Sequence, residues 1–111
     1  MRHEDRKVAV AAYKERKVMA GIYLVRCLAT SERWAGQASD LSTIQNRIWF
    51  TLRHGSHRGR TLQAAWNTHG ENAFSFEEAE RLDEKALEAG RDRVMKARLM
   101  HWCAELGAEA V

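Results

Sequence analysis

The stretch from Ala20 to Gly36 constrains the fold more than any other part of the chain. Ala20 to Leu28 is dense in Ile, Tyr, Val and Leu, side chains that suit a pleated and half-buried surface. Thr30, Ser31 and Glu32 interrupt it, and Trp34 opens a second extended run that Gly36 closes. Two short strands around a polar turn make a hairpin. Nothing after Gly36 reads as extended again until Phe74, so helices must dock on this hairpin to build a core.

Those helices can be placed from their punctuation. Asp40 is a good N-cap, and Leu41, Ile44, Ile48 and Leu52 recur at helical spacing over residues 41 to 54. Gly55 stops that helix, and a basic loop, GSHRGR, follows. Thr61 is expected to cap a second helix with Leu62, Ala65 and Trp66 inward and Gly70 as its stop. From 73 to 79, Phe74 and Phe76 alternate with Ser75 and Glu77, the period of a third strand. A long helical pattern then runs from Glu84 through Leu87, Val94, Met95, Leu99, Trp102 and Leu106. Gly90 is a break point, Gly107 the end, and 108–111 a tail. Residues 4 to 18 read as one more helix, acidic in its first turn and basic in its last. It either packs on the core or serves as a dimerisation arm. The expected architecture is α/β (α+β), a small three-stranded mixed or antiparallel sheet flanked by helices. The expected organisation is an N-terminal helix (1–19), a core (20–83) and a C-terminal helix (84–111) completing one domain.

Composition narrows the function classes. The chain has 111 residues, 45% of them hydrophobic and 30% charged, as in an ordinary globular protein. No run approaches the roughly 20 apolar residues that span a bilayer, and MRHEDRKVAV lacks the apolar core of a secretion signal. No membrane partner is expected. Cys27 and Cys103 alone suggest reduced thiols, and a cytoplasmic location is expected. The net charge is only +3. Its distribution matters more: Arg47, Arg53, Arg58 and Arg60, with His54 and His57, share a window free of acids. Such a patch suits phosphate contacts. His54, His57 and His69 match no zinc spacing.

Gly21-Ile22-Tyr23, then Trp34-Ala35-Gly36, resembles the paired motif of the GIY-YIG nuclease family. The resemblance continues in order through Gly55-Ser56-His57, Leu62-Gln63-Ala64-Ala65-Trp66-Asn67, His69-Gly70-Glu71-Asn72 and Phe74-Ser75-Phe76-Glu77. It covers roughly Ala20 to Asp83. It implies a metal-dependent endonuclease, using Mg²⁺ or Mn²⁺, that cuts phosphodiester bonds in nucleic acid, DNA first. The other reading is a degenerate module of the same fold that binds nucleic acid or a protein partner. A homodimer is one option for its assembly.

The resemblance also assigns residues. Tyr23 matches the first-motif tyrosine, the general base of the family's proposed mechanism. Trp34 stands at the second tyrosine, where an indole N–H can donate but cannot take a proton. The family's helical arginine and histidine fall on Ile44 and Ile48, and its metal-binding glutamate on Ala97 or Leu99. Arg47 is the nearest substitute for the arginine, although it is offset from Ile48 by about 100° around the helix. The resemblance leaves the metal ligand unassigned, with Glu77, Glu78 and Glu80 the nearest acids. The catalytic candidates are therefore Tyr23 and Arg47. The candidates for nucleic-acid contact are Trp34, Arg53, His54, His57, Arg58, Arg60 and Asn67.

Overall fold

The computed structural model describes residues 18–111. The helix expected over 4–18 lies outside them, apart from its last residue. The hairpin forms as the sequence implies: β1 (Ala20–Cys27) and β2 (Arg33–Ala38) pair antiparallel, with Tyr23 opposite Gly36 and Val25 opposite Trp34. β3 (Phe74–Leu82) pairs antiparallel with the other side of β1. β1 is therefore a central strand, which explains why seven of its eight residues are buried.

The sheet has four strands, not three, in the order β3-β1-β2-β4. β4 (Glu109–Ala110) is the segment expected to be a tail. It runs parallel to β2, and the Val111 amide donates to the Ala35 carbonyl at 2.8 Å. A two-residue strand carries no readable alternation, so its pairing follows from what precedes it. Gly107 takes a left-handed conformation (φ 62°) and turns the chain back onto the β2 edge.

Two helices cover one face. α1 (Leu41–Arg53) starts at Asp40, whose carboxylate accepts from the Ser42 amide at 3.0 Å and its hydroxyl at 2.6 Å. α2 (Arg60–His69) starts two residues earlier than expected, with Gly59 in place of Thr61 as its cap and no side-chain cap bond. Thr61 is instead the middle of a chain: the Trp34 indole donates to its hydroxyl at 2.9 Å, and that hydroxyl donates to Glu109 at 2.8 Å. Tyr23, Val25, Cys27 and Trp34 point from the sheet into this face. They meet Leu41, Ile48, Trp49 and Leu52 of α1 and Leu62, Ala65 and Trp66 of α2. Trp49 and Trp66 meet edge to face at 5.3 Å.

The opposite face belongs to α3 (Arg91–Leu106). The helical pattern expected from Glu84 begins only after Gly90, whose φ of 126° excludes a continuous helix, and 84–89 form turns. Met95 packs on Ala20 and Leu82, with Leu87 and Val94 around them. Glu80 fastens the helix from the sheet: Arg98 and the Trp102 indole reach one of its carboxylate oxygens at 2.7 and 2.8 Å.

Candidate nucleic-acid interface

The site grows from one cross-strand pair. Gly36 stands opposite Tyr23, and a Cβ at Gly36 would collide with the Tyr23 phenol. Glycine is therefore what lets the ring lie over the β2 backbone. Phe76 stacks on the ring at 5.5 Å, with the planes 16° apart. Gly21, two residues before Tyr23, has a comparable role: a Cβ there would meet the Glu80 carbonyl and a Leu41 methyl. The glycines of the motif are thus packing requirements around the tyrosine.

Tyr23 forms the floor of an open cleft of about 380 Å³ between β2, α1 and the 55–60 loop. Ile44, Arg47, Ile48 and Thr51 line its α1 wall, His57 and Arg58 come from the loop, and Val111 reaches its rim. Ile44 and Ile48 thus occupy the wall where the family resemblance places its arginine and histidine. Arg47 lies beside them and reaches the same space, because a long side chain bridges the step around the helix.

The electrostatics are one-sided. Burial raises the Tyr23 pKa, and the Arg58 charge offsets part of that rise. At neutral pH Tyr23 is accordingly a phenol, a donor to an anion rather than a base. Burial, aided by Arg58, lowers the His57 pKa. His57 Nδ1 accepts the Gly59 amide at 2.9 Å, so the neutral ring carries its proton on Nε2. Two guanidiniums, a phenol and an imidazole therefore converge with no acidic side chain among the lining residues. That set matches a phosphodiester. It does not fit Mg²⁺ or Mn²⁺, which need carboxylate oxygens, and no group of three or more His, Cys, Asp or Glu side chains able to hold a metal exists among the described residues.

The remaining expected contacts sort themselves by position. Trp34 is 1% exposed, with its ring on Phe74 and its N–H on Thr61, so it is a core residue with no face for a nucleotide. Arg53 is exposed but bound to Glu71 through two hydrogen bonds of 2.9 and 2.8 Å. Asn67 accepts from Gln63 at 3.0 Å, and His54 turns to the Phe50 carbonyl. Neither they nor Arg53 and Arg60 line the cleft. The acids are elsewhere too. Glu80 serves α3, Glu78 pairs with Arg81 and Glu77 with Arg26. Ala97 and Leu99 lie on α3, across the sheet from Tyr23, and neither lines the cleft. Thr51 and Val111 were missed by the sequence reading. Thr51 had a signal, since 44, 47, 48 and 51 share a helix face; Val111 had none.

Solved structures share this arrangement of strands and helices. The catalytic domain of the homing endonuclease I-TevI superposes with a TM-score of 0.70 at 24% identity, covering 83% of this chain and 97% of that one. A point mutant of the catalytic domain of intron endonuclease I-TevI gives 0.66 at 26% identity, covering 80% of this chain and 84% of that one. The chain has the GIY-YIG fold. No protein-family model matches the sequence, and no curated protein matches it either. In this chain the cleft combines Tyr23, set against Gly36, with a wall that includes Ile44 and Ile48. No helix among the described residues is long and apolar enough to cross a membrane.

Proposed function

We propose that the protein binds nucleic acid, DNA in the first instance, by seating a backbone phosphate in the Tyr23 cleft. The observation that carries this reading is the convergence of Tyr23, Arg47, His57 and Arg58 without an acidic side chain. Arg47 and Arg58 supply charge, and the Tyr23 phenol and His57 Nε2–H supply neutral donors. The likeness to an endonuclease catalytic domain supports nucleic acid as the partner. The endonuclease reading with Mg²⁺ or Mn²⁺ shares Tyr23 and Arg47 but finds no acidic side chain among the described residues that line the cleft. The binding reading is therefore preferred.

Fluorescence anisotropy with labelled DNA tests it, with wild type beside Arg47→Ala and Arg58→Ala. Each substitution should weaken binding about tenfold and lower the slope of log K against log salt by about 1. Binding that neither substitution changes overturns the cleft as the phosphate site. The same DNA incubated with Mg²⁺ or Mn²⁺ should stay intact, and scission lost in Tyr23→Phe would establish the endonuclease instead.

A further inference from the structure

Phe50 is 59% exposed, and every other Phe, Tyr and Trp among the described residues is buried or half-buried. It stands three residues from Arg47 on α1, so the two side chains are neighbours about 5–6 Å apart at Cβ. Arg47 lines the cleft; Phe50 is outside the lining and follows Arg47 by three positions on the same helix. The Phe50 ring rests on His54, with centroids 4.2 Å apart and planes tilted by 37°. His54 is itself held, since its Nδ1 donates to the Phe50 carbonyl at 2.8 Å. Among the described residues the ring belongs to neither core cluster, and its ring contact is with His54.

We propose that Phe50, backed by His54, is a stacking platform for an unpaired nucleobase whose phosphate sits in the Tyr23 cleft. The protein then selects single-stranded or locally unpaired nucleic acid over duplex. The inference rests on the phosphate reading of the cleft and adds the substrate class to it. Charge complementarity identifies the occupant: the segment from Arg47 to Arg60 carries four arginines and two histidines and no acid of its own, and although Glu71 pairs with Arg53, Arg47 and Arg58 face the cleft with no acidic side chain in its lining. A protein segment would need to be both acidic and aromatic-seeking to suit this surface. A nucleotide strand is polyanionic and offers a π-face at every base. In duplex those faces are stacked on their neighbours, so the platform is usable only where the strand is open.

The experiment compares one oligonucleotide as a single strand and as a duplex, against wild type, Phe50→Ala, Phe50→Leu and Phe50→Trp. Arg47→Ala serves as the phosphate control, and thermal melting checks the fold of each variant. The single strand should bind wild type more tightly. Phe50→Ala should lose about tenfold on the single strand and little on duplex, Phe50→Leu should behave like Phe50→Ala, and Phe50→Trp should restore binding. A fluorescent adenine analogue in the strand should be quenched by wild type and not by Phe50→Ala. Equal losses on both forms, or full binding by Phe50→Leu, overturn the platform. If Arg47→Ala weakens binding while the Phe50 variants do not, the platform fails and the phosphate cleft stands. Wild type that binds neither form overturns both.

Discussion

Tyr23 and Gly36 show how one residue's identity is set by its cross-strand partner. The phenol lies where a Gly36 side chain would be, so the two positions are coupled sterically rather than chemically. Gly36→Ala should displace the ring and cost on the order of 1–3 kcal/mol, read by urea unfolding. If the clash is the cause, Gly36→Ala should cost much less in a Tyr23→Leu background. Glu80 is a residue-scale case on the other face. Burial pushes its carboxyl pKa up, but the Trp102 and Arg98 hydrogen bonds, with the Arg98 and His101 charges, outweigh that and leave it below the ordinary glutamate range. A depressed carboxyl contributes stability above the unfolded-state pKa and loses it as pH falls through the folded value. Glu80→Gln should therefore cost on the order of 1 kcal/mol at neutral pH. The gap to wild type should narrow in unfolding measurements as the pH falls below the ordinary glutamate range. A gap that stays constant would mean that the carboxylate charge is not what fastens α3.

Elements were legible where their signal was periodic. Asp40 as a cap, the stripe of Leu41, Ile44, Ile48 and Leu52, and the alternation around Phe74 and Phe76 all fell within a residue or two of the observed bounds, apart from the end of β3. β3 runs on to Leu82 because Ala79 is accommodated by a bulge opposite Ile22 and Tyr23, which breaks the alternation a strand would otherwise show. Thr61 misled for a different reason. Its type and place satisfied the rule for caps, yet the buried Trp34 N–H needed an acceptor and took its hydroxyl. That partner is 27 residues away in sequence, so no local pattern reveals it. The two roles predict different mutants. Loss of a cap costs about 1 kcal/mol and is read within α2. Thr61→Val instead leaves the indole N–H unsatisfied and frees Glu109. It should cost about 1–3 kcal/mol, and hydrogen exchange at the Val111 amide should speed up with it. Thr61→Ser should restore both. Protection at Val111 unchanged in Thr61→Val would mean that β4 is held by its backbone pairing alone. The cleft was half legible on the same grounds. Tyr23, Arg47, His57 and Arg58 were named in advance, but Arg53 was claimed by Glu71 and Trp34 by the core, both through long-range contacts.

For the whole molecule, the sheet divides stability from function. The aromatic-rich core between the sheet and helices α1 and α2 supports the cleft, and a smaller cluster around Met95 anchors α3 on the other face. The basic window from Arg47 to Arg60 lies wholly on the first side. α3 thus reaches the site through the rigidity it lends to β1 and β2 and through β4, which follows it and sets Val111 at the cleft rim. Met95 is 4% exposed, so Met95→Ala should cost about 2–5 kcal/mol and lower the melting temperature by several degrees. At a temperature where the variant remains folded, its affinity for DNA and its salt slope should equal those of wild type. Arg58→Ala should do the reverse, since its side chain is exposed and makes no core contact. The double variant should then show both changes at full size, because the two sites share no partner. A Met95→Ala protein that is fully folded yet binds DNA more weakly would show that α3 shapes the cleft through the sheet, and the division by face would not hold.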